Sequence, residues 1–429
     1  MRRELLIMSA VALSVVLGTR AVGQSRSVAA SLALVGGTIY TSPTEAPIRD
    51  GVVLVDRGRI VAAGPRASVA VPVGTEVIDT AGATITAGFW NSHVHFLERM
   101  WADPNIAPAS DLTRQFQMML TQYGFTSVFD IWSSWENTRQ LRARVESGEV
   151  MGPRIRATGE AMFARGSATT DTIEIAPPAS WATLGFMPHD RIQLPRVGDA
   201  TEAGAIAKRL LDAGVDGLKL YVVALERNGG RVPDSVIEAL VKEGHARGKP
   251  VFVHPTTTDG LMASVRAGVD VLAHTTPQSG PWDDTVLAAM SKARVALIPT
   301  LSFWRYQLRH ERISAADGVE EAAVDQLRSW VRAGGTVLYG TDLGWVTSYD
   351  PTGEYALMAR AGMTFPQILA SLTTAPAERF GVGDRLGRIA PGYTADLTVL
   401  RTDPTNDVRA LALVDYTLRD GTVIYRSSR

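Results

Sequence analysis

The stretch Gly88-Phe89-Trp90-Asn91-Ser92-His93-Val94-His95 decides how the chain is read. An apolar run closes on two histidines separated by one residue. Side chains two apart on an extended strand face the same side. The imidazoles of His93 and His95 therefore reach toward one point, as ligands of one ion must. A strand that ends in such residues suits the mouth of a parallel barrel, and the rest of the 429-residue chain repeats the theme. Apolar runs at 86–90, 126–129, 155–157, 217–221, 251–253, 269–273, 295–298 and 337–339 are strand candidates. Helical stretches at 111–123, 201–213, 233–247 and 322–333 lie between them, and 364–374 follows the last. Eight strands alternating with helices predict an α/β protein whose residues 83–382 form a (β/α)8 TIM barrel.

The flanks have a different texture. Short strands with tight turns fill 27–82, with Asp56-Arg57-Gly58 between two apolar runs, and 383–429, with Asp420-Gly421 before the final run. The two flanks together predict a small composite β-sandwich domain. At the start, Arg2 and Arg3 precede an apolar run at 5–17, followed by small residues at Ala21 and Gly23. The run is too short to span a bilayer and has the layout of a signal peptide over 1–23. A retained N-terminal anchor is the competing reading. Cleavage implies a secreted or periplasmic protein with no stable membrane association.

Composition narrows the chemistry. Hydrophobic residues make up 45% and charged residues 20%, with a net charge of −1, so no excess of positive charge favours nucleic acid or an anionic membrane. The chain has no cysteine. Disulfides, thiolate ligands and a cysteine nucleophile are excluded, and any metal must be held by His, carboxylate or a modified side chain.

Further candidates sit where barrel chemistry is built, at the C-terminal ends of strands. His254 ends the fifth in Val253-His254-Pro255, His274 the sixth in Ala273-His274-Thr275, and Asp342 the eighth in Gly340-Thr341-Asp342. Asp342 alone reads equally well as a helix N-cap. Lys219 lies mid-strand in Gly217-Leu218-Lys219-Leu220. A lone buried ammonium is costly, so it needs a partner or a modification. A carbamate formed with CO2 makes it an anionic oxygen ligand able to bridge two metals, while a salt-bridged structural lysine is the plainer alternative. The long connections 159–200 and 300–319 lie on the same face as candidate substrate loops. They carry His189, His310, Trp181, Trp304, Tyr306, and Arg305 and Arg312, two candidate carboxylate binders. His245 falls late in a helix and reads as solvent-facing.

Taken together, these pieces and Gly387-Arg388-Ile389-Ala390-Pro391-Gly392-Tyr393-Thr394-Ala395-Asp396-Leu397 resemble the amidohydrolase superfamily. Within it they are most similar to the imidazolonepropionase-like and metal-dependent Xaa-Pro or Xaa-Arg dipeptidase branch. The resemblance implies two divalent metal ions, with zinc the first candidate among zinc, manganese, iron and cobalt. It places His93, His95 and Asp342 on the more buried ion and His254 and His274 on the second, with Lys219, carboxylated by CO2, bridging both. Imidazolonepropionases lack this lysine and use one metal, and deaminases carry a Glu shortly after the strand-five histidine, where this chain has Pro255-Thr256-Thr257-Thr258. Both activities are disfavoured. The implied reaction is cleavage of an amide bond in a dipeptide or N-acyl amino acid by a metal-activated hydroxide. Asp342 acts as general base and then general acid. Tyr221, two residues beyond Lys219, is placed to hydrogen-bond an oxyanion or a substrate carboxylate. Hydrolysis of an ester, lactone or cyclic amide at the same site, and a non-catalytic binding relative, are the alternatives. The expected partner is a small molecule or dipeptide, and a homo-oligomer is compatible with everything above.

Overall fold

The computed structural model describes residues 29–165, 195–222, 231–310 and 316–428. The expected signal peptide, Trp181, His189 and Arg312 lie outside them. Five strands come first: β1 (Leu32–Ile39), β2 (Ile48–Asp56), β3 (Arg59–Pro65), β4 (Glu76–Asp79) and β5 (Thr84–Ala87). The parallel strands β6 (Phe89–Val94), β7 (Phe125–Asp130) and β8 (Arg154–Ala157) follow. A small parallel pair, β9 (Phe163–Ala164) and β10 (Arg196–Val197), precedes β11 (Leu218–Val222), β12 (Val251–Pro255), β13 (Val271–Ala273), β14 (Ala296–Ile298) and β15 (Thr336–Val337). The chain ends with β16 (Leu397–Leu400), β17 (Val414–Arg419) and β18 (Thr422–Arg426).

Strands β6–β8 form one parallel sheet and β11–β15 another. Backbone hydrogen bonds link them on both sides. Asp216 N donates to Ala157 O at 2.7 Å and Met162 N to Lys219 O at 2.9 Å, while Ser92 N donates to Tyr339 O at 2.7 Å and Asp342 N to His93 O at 2.9 Å. Both faces of these strands are covered, which is why they read as continuous apolar runs. The aromatic rings of Trp90, Phe129, Phe252 and Phe380 pack together in one core.

The two ends of the chain meet in one mixed sheet of order β18-β17-β16-β5-β1-β2-β3, with β4 also paired to β1. Its own core includes Leu34, Val53, Ile85, Leu397 and Leu418. The turn residues explain its hairpins. Arg57 (φ 45°) and Gly58 (φ 75°) join β2 to β3, and Asp420 (φ 50°) and Gly421 (φ 73°) join β17 to β18. Two successive left-handed residues give the turn twist that antiparallel strands favour.

Two details differ from the sequence reading. The single strand expected at 86–90 is two strands in different sheets. Gly88 N donates to Asp396 O in the terminal sheet, while Phe89 N donates to Gly124 O beside the barrel. A Cβ on Gly88 would lie 2.2 Å from Thr126 Oγ1, so only glycine allows this close crossing. The connection expected at 300–319 is largely helical, with helices at Leu301–His310 and Ala316–Arg332. The spacing of Leu301 and Trp304 is that of one helical face.

Candidate metal centre

His93 on strand β6 and His95 just past its end stand side by side, each 1% exposed. Their Nε2 atoms are 3.2 Å apart. His95 Nδ1 lies 3.0 Å from the carbonyl oxygen of Trp132, which only accepts, so Nδ1 carries the proton and Nε2 presents its lone pair. Asp342 Oδ1 is 2.8 Å from His95 Nε2 and 3.2 Å from His93 Nε2. Asp342 arrives on the segment that closes against β6. Asn91 Nδ2 donates to Thr341 Oγ1 at 2.7 Å, tying the two together. The approach needs Gly340, where a Cβ would lie 2.8 Å from His93 Cβ.

His274 follows β13, with its ring centroid 4.8 Å from that of His93 and 4.4 Å from that of His254. Ligand atoms of His93, His274 and Asp342 all fall within 4.8 Å of one another, making a buried candidate metal site consistent with a divalent cation. His254 is half-buried and sits on β12 opposite Tyr221 on β11. The Tyr221 ring is stacked between Phe163 at 4.3 Å and His254 at 4.6 Å. Lys219 is fully buried, its Nζ without a hydrogen-bond partner and 5.3 Å from the centre of the Tyr221 ring. Of the six expected ligands, His93, His274 and Asp342 form one tight group, His95 touches Asp342, His254 packs on His274, and Lys219 lies beside them within β11 under Tyr221.

Electrostatics follow from burial and charge. Burial lowers His93 to about 4, against the pull of Asp342. Burial, then neighbouring positive groups, holds His254 and His274 well below the usual range. Neutral imidazoles keep the lone pairs that metal binding requires. Burial raises the Asp342 carboxyl, but His93 and His95 outweigh it and hold it well below the usual carboxylate range. Burial lowers the Lys219 amine to about 7, with Asp342 acting the other way. The backbone carries strain here too. His274 (φ 78°), Thr300 (φ 42°) and Asp342 (φ 60°) are all left-handed without being glycine. Each such residue costs roughly 1–3 kcal/mol, and such strain concentrates at functional sites.

Residues that the sequence reading passed over support the cluster. Asp130 accepts from Ser133 Oγ at 2.7 Å, Thr138 Oγ1 at 2.9 Å and Trp132 N at 3.2 Å. It thereby fixes the turn whose carbonyl orients His95. An acid ending the second strand, as histidine ends the first, is the signal that marks it. Glu98 accepts from Tyr349 Oη at 2.5 Å and Gln115 Nε2 at 3.0 Å, joining the loops after β6 and β15. Arg305, expected as a carboxylate binder, is engaged by Glu320 through Nε and Nη2, each at 2.5 Å. Trp304 Nε1 donates to Thr275 Oγ1 at 3.0 Å and Tyr306 Oη lies 3.3 Å from Thr347 Oγ1. His245 pairs with Asp270 at 2.9 Å, on the helix Asp234–Ala246.

The family model described as Amidohydrolase family matches residues 84–425, from the last strand before the barrel into β18. The chain belongs to the amidohydrolase family. This amidohydrolase is 38% identical over 69 residues to the amidohydrolase TasK of Hapsidospora irregularis, covering 16% of this chain and 7% of that protein. It is 31% identical over 152 residues to an uncharacterised protein of Mycobacterium tuberculosis, covering 32% of this chain and 39% of the relative. It thus spans well under half the length of these curated relatives. Among solved structures it is similar to a Xaa-Pro dipeptidase with methionine bound in the active site (TM-score 0.77, 22% identity, 92% of this chain and 100% of that one). A putative prolidase from Bifidobacterium longum gives a TM-score of 0.73 at 24% identity over 92% and 94% of the two chains. The A. niger ochratoxinase gives 0.74 at 17% over 93% and 96%. At these identities the likeness establishes a shared fold, and the family implies that it is a TIM barrel.

Proposed function

We propose that this amidohydrolase cleaves the amide bond of a dipeptide, such as a Xaa-Pro dipeptide, or of an N-acyl amino acid, at a two-metal centre. His93, His95 and Asp342 would hold one divalent ion, His254 and His274 the second, and Lys219, carboxylated by CO2, both. The observation that carries this reading is the buried, unpartnered Nζ of Lys219, set over the Tyr221 ring that stacks on His254. An ammonium is costly there. A carbamate removes the conflict: the neutral amine forms an N–C bond to CO2 and loses one proton, leaving an anion that suits cations beside it. The donor set, imidazole and carboxylate without thiolate, suits zinc, manganese, iron or cobalt, with zinc the first choice.

Bound divalent ions lower the pKa of a coordinated water and polarise a carbonyl oxygen. The residues of the chain do the rest. Trp132 O and Thr300 Oγ1 orient the rings of His95 and His274. The Asp342 carboxylate accepts a proton from the attacking water and returns it to the leaving nitrogen. Tyr221 keeps its phenol protonated, since burial raises it well above its ordinary value, and offers that hydrogen to the developing oxyanion or a substrate carboxylate. The N-terminal 23 residues fit an exported, periplasmic or secreted enzyme. Among the described residues, no helix is long and apolar enough to cross a membrane.

The test is a screen of the reconstituted protein against Xaa-Pro dipeptides, N-acyl amino acids and lactones, with metal analysis and Asp342→Asn as control. Amide hydrolysis with about two metal equivalents, lost in the variant, is expected. Activity that survives Asp342→Asn rejects the proton role. Fewer than about one equivalent after reconstitution rejects the two-metal centre.

A further inference from the structure

Glu354 is 1% exposed, and its hydrogen bonds run to Leu301 and Ser302. It lies on the helix Thr352–Arg360, after the last barrel strand. One carboxylate oxygen accepts from Leu301 N at 2.8 Å. The other accepts from Ser302 N and Ser302 Oγ, both at 2.7 Å. These amides open the helix Leu301–His310 and have no intrahelical partner. A carboxylate there also meets the positive end of the helix dipole.

The residue just before them is Thr300, fully buried with φ 42°. A β-branched residue rarely adopts this conformation, and no glycine or asparagine at that position relieves it. Thr300 Oγ1 lies 2.5 Å from His274 Nδ1. His274 is itself left-handed, and its amide donates to Ile298 O at 2.8 Å. Its Nε2 is 3.7 Å from Asp342 Oδ2. A continuous path of hydrogen bonds and two peptide units therefore joins Glu354 to a candidate ligand on a different strand.

We propose that Glu354 is a positioning residue: by clamping the amides of Leu301 and Ser302 it holds Thr300 in its left-handed turn, so that Thr300 Oγ1 accepts from His274 Nδ1–H and leaves Nε2 free for a metal. The inference rests on the reading of His274 as a metal ligand. It explains why strained residues stand back to back at His274 and Thr300, for such conformations persist only where surrounding contacts over-determine them. Outer partners of this kind fix the tautomer and orientation of a ligating histidine.

The test uses full-length protein labelled with 15N-histidine, read by long-range 15N–1H NMR without metal, and then Zn2+ affinity by chelator competition. Wild type is expected to show the Nδ1–H tautomer at His274. Glu354→Gln and Thr300→Ala should erase that preference and weaken the weaker zinc site about 10–100-fold, Ser302→Ala should do so to a smaller extent, and Thr300→Ser should restore both. The double variant Glu354→Gln/Thr300→Ala should bind zinc no more weakly than Thr300→Ala, because both act along one path. A Glu354→Gln protein with wild-type tautomer and zinc affinity but a lower urea midpoint reduces Glu354 to a helix cap and overturns the proposal. Additive losses overturn it as well. Should Glu354→Gln fail to fold, wild-type tautomer and affinity in Ser302→Ala or in Thr300→Ala reject it. A wild type with these tautomer and zinc results but no amide hydrolysis refutes the proposed function and leaves this inference standing.

Discussion

Lys219 is buried and Arg154 half-buried, and the fold accommodates these two positive side chains in opposite ways. At the strand mouths, Lys219 is fully buried with no hydrogen-bond partner. Where the barrel meets the terminal sheet, Arg154 lies between Asp420 at 2.9 Å and Asp396 at 3.4 Å. Burial opposes the charge of both. Two carboxylates overcome it at Arg154 and raise its pKa, whereas burial prevails at Lys219 and brings it down to about 7. A buried charge with partners reads as structure. A buried charge without them, beside strained backbone and neutral imidazoles, reads as a site whose remaining partner is a ligand.

Mutation should separate the two regions most sharply in activity. Asp342→Asn and Lys219→Met are each expected to lower kcat at least about 100-fold, within the range for losing acid–base chemistry or a metal ligand. Lys219→Met should not lower the melting temperature of the metal-free protein, because the amine it removes has no hydrogen-bond partner to abandon. A large fall in thermal stability with that substitution would place Lys219 in the structural class. The converse holds at the other region. Arg154→Met leaves the buried Asp396 with only the Asp420 amide as donor and should cost about 1–2 kcal/mol in urea unfolding, since the arginine side of the pair is partly exposed. Its kcat should stay within about twofold of wild type, since the substitution touches no strand mouth. A hundredfold loss of activity there would erase the distinction.

A pH experiment sharpens the comparison further. Burial pushes the Asp130 carboxyl up to about 6 from its ordinary 3.8 despite the hydrogen bonds it accepts. Between those values the folded protein keeps a proton that the unfolded chain has lost. The contribution of Asp130 to stability is therefore greatest below about pH 4, declines as pH rises to about 6, and is constant above, with a slope of at most about 1.4 kcal/mol per pH unit. Urea midpoints of wild type minus Asp130→Asn, compared at about pH 4 and pH 7, should show this decline. A flat difference would mean that Asp130 is ionised throughout. The smallest effect belongs to the tie between loops. Tyr349→Phe removes one donor from Glu98, which keeps Gln115, and should cost only about 1 kcal/mol. Thermal unfolding measures it.

The strands and the candidate ligands were legible in the sequence because both are local signals. Runs such as Val251-Phe252-Val253 announce a strand buried on both faces, and His254 at its end shows where the mouth lies. The support was not legible. Trp132 O orients His95 from 37 residues away, and Glu354 meets Ser302 across 52. Such pairs depend on which strand ends the barrel brings together, and no spacing encodes that. The break between β5 and β6 was hidden for a related reason. Thr86 and Trp90 look like one apolar run, and only the close approach of Thr126 makes Gly88 a crossing point. The helix at Leu301–His310 was obscured by the expectation that a long connection on the active face is irregular, although its apolar spacing was readable.

The sheet built from both ends of the chain has a consequence for synthesis. Strand β5 needs β16 on its open side, with Ile85 opposite Val399, and Gly88 takes its partner from Asp396. While the ribosome is still making the barrel, more than 300 residues separate these partners. During that interval β5 presents a bare row of amides and carbonyls beside freshly made apolar strands, the geometry that invites pairing with another nascent chain. A protein cut just before β16 would keep that edge permanently, and it should accumulate as aggregate rather than as a smaller enzyme.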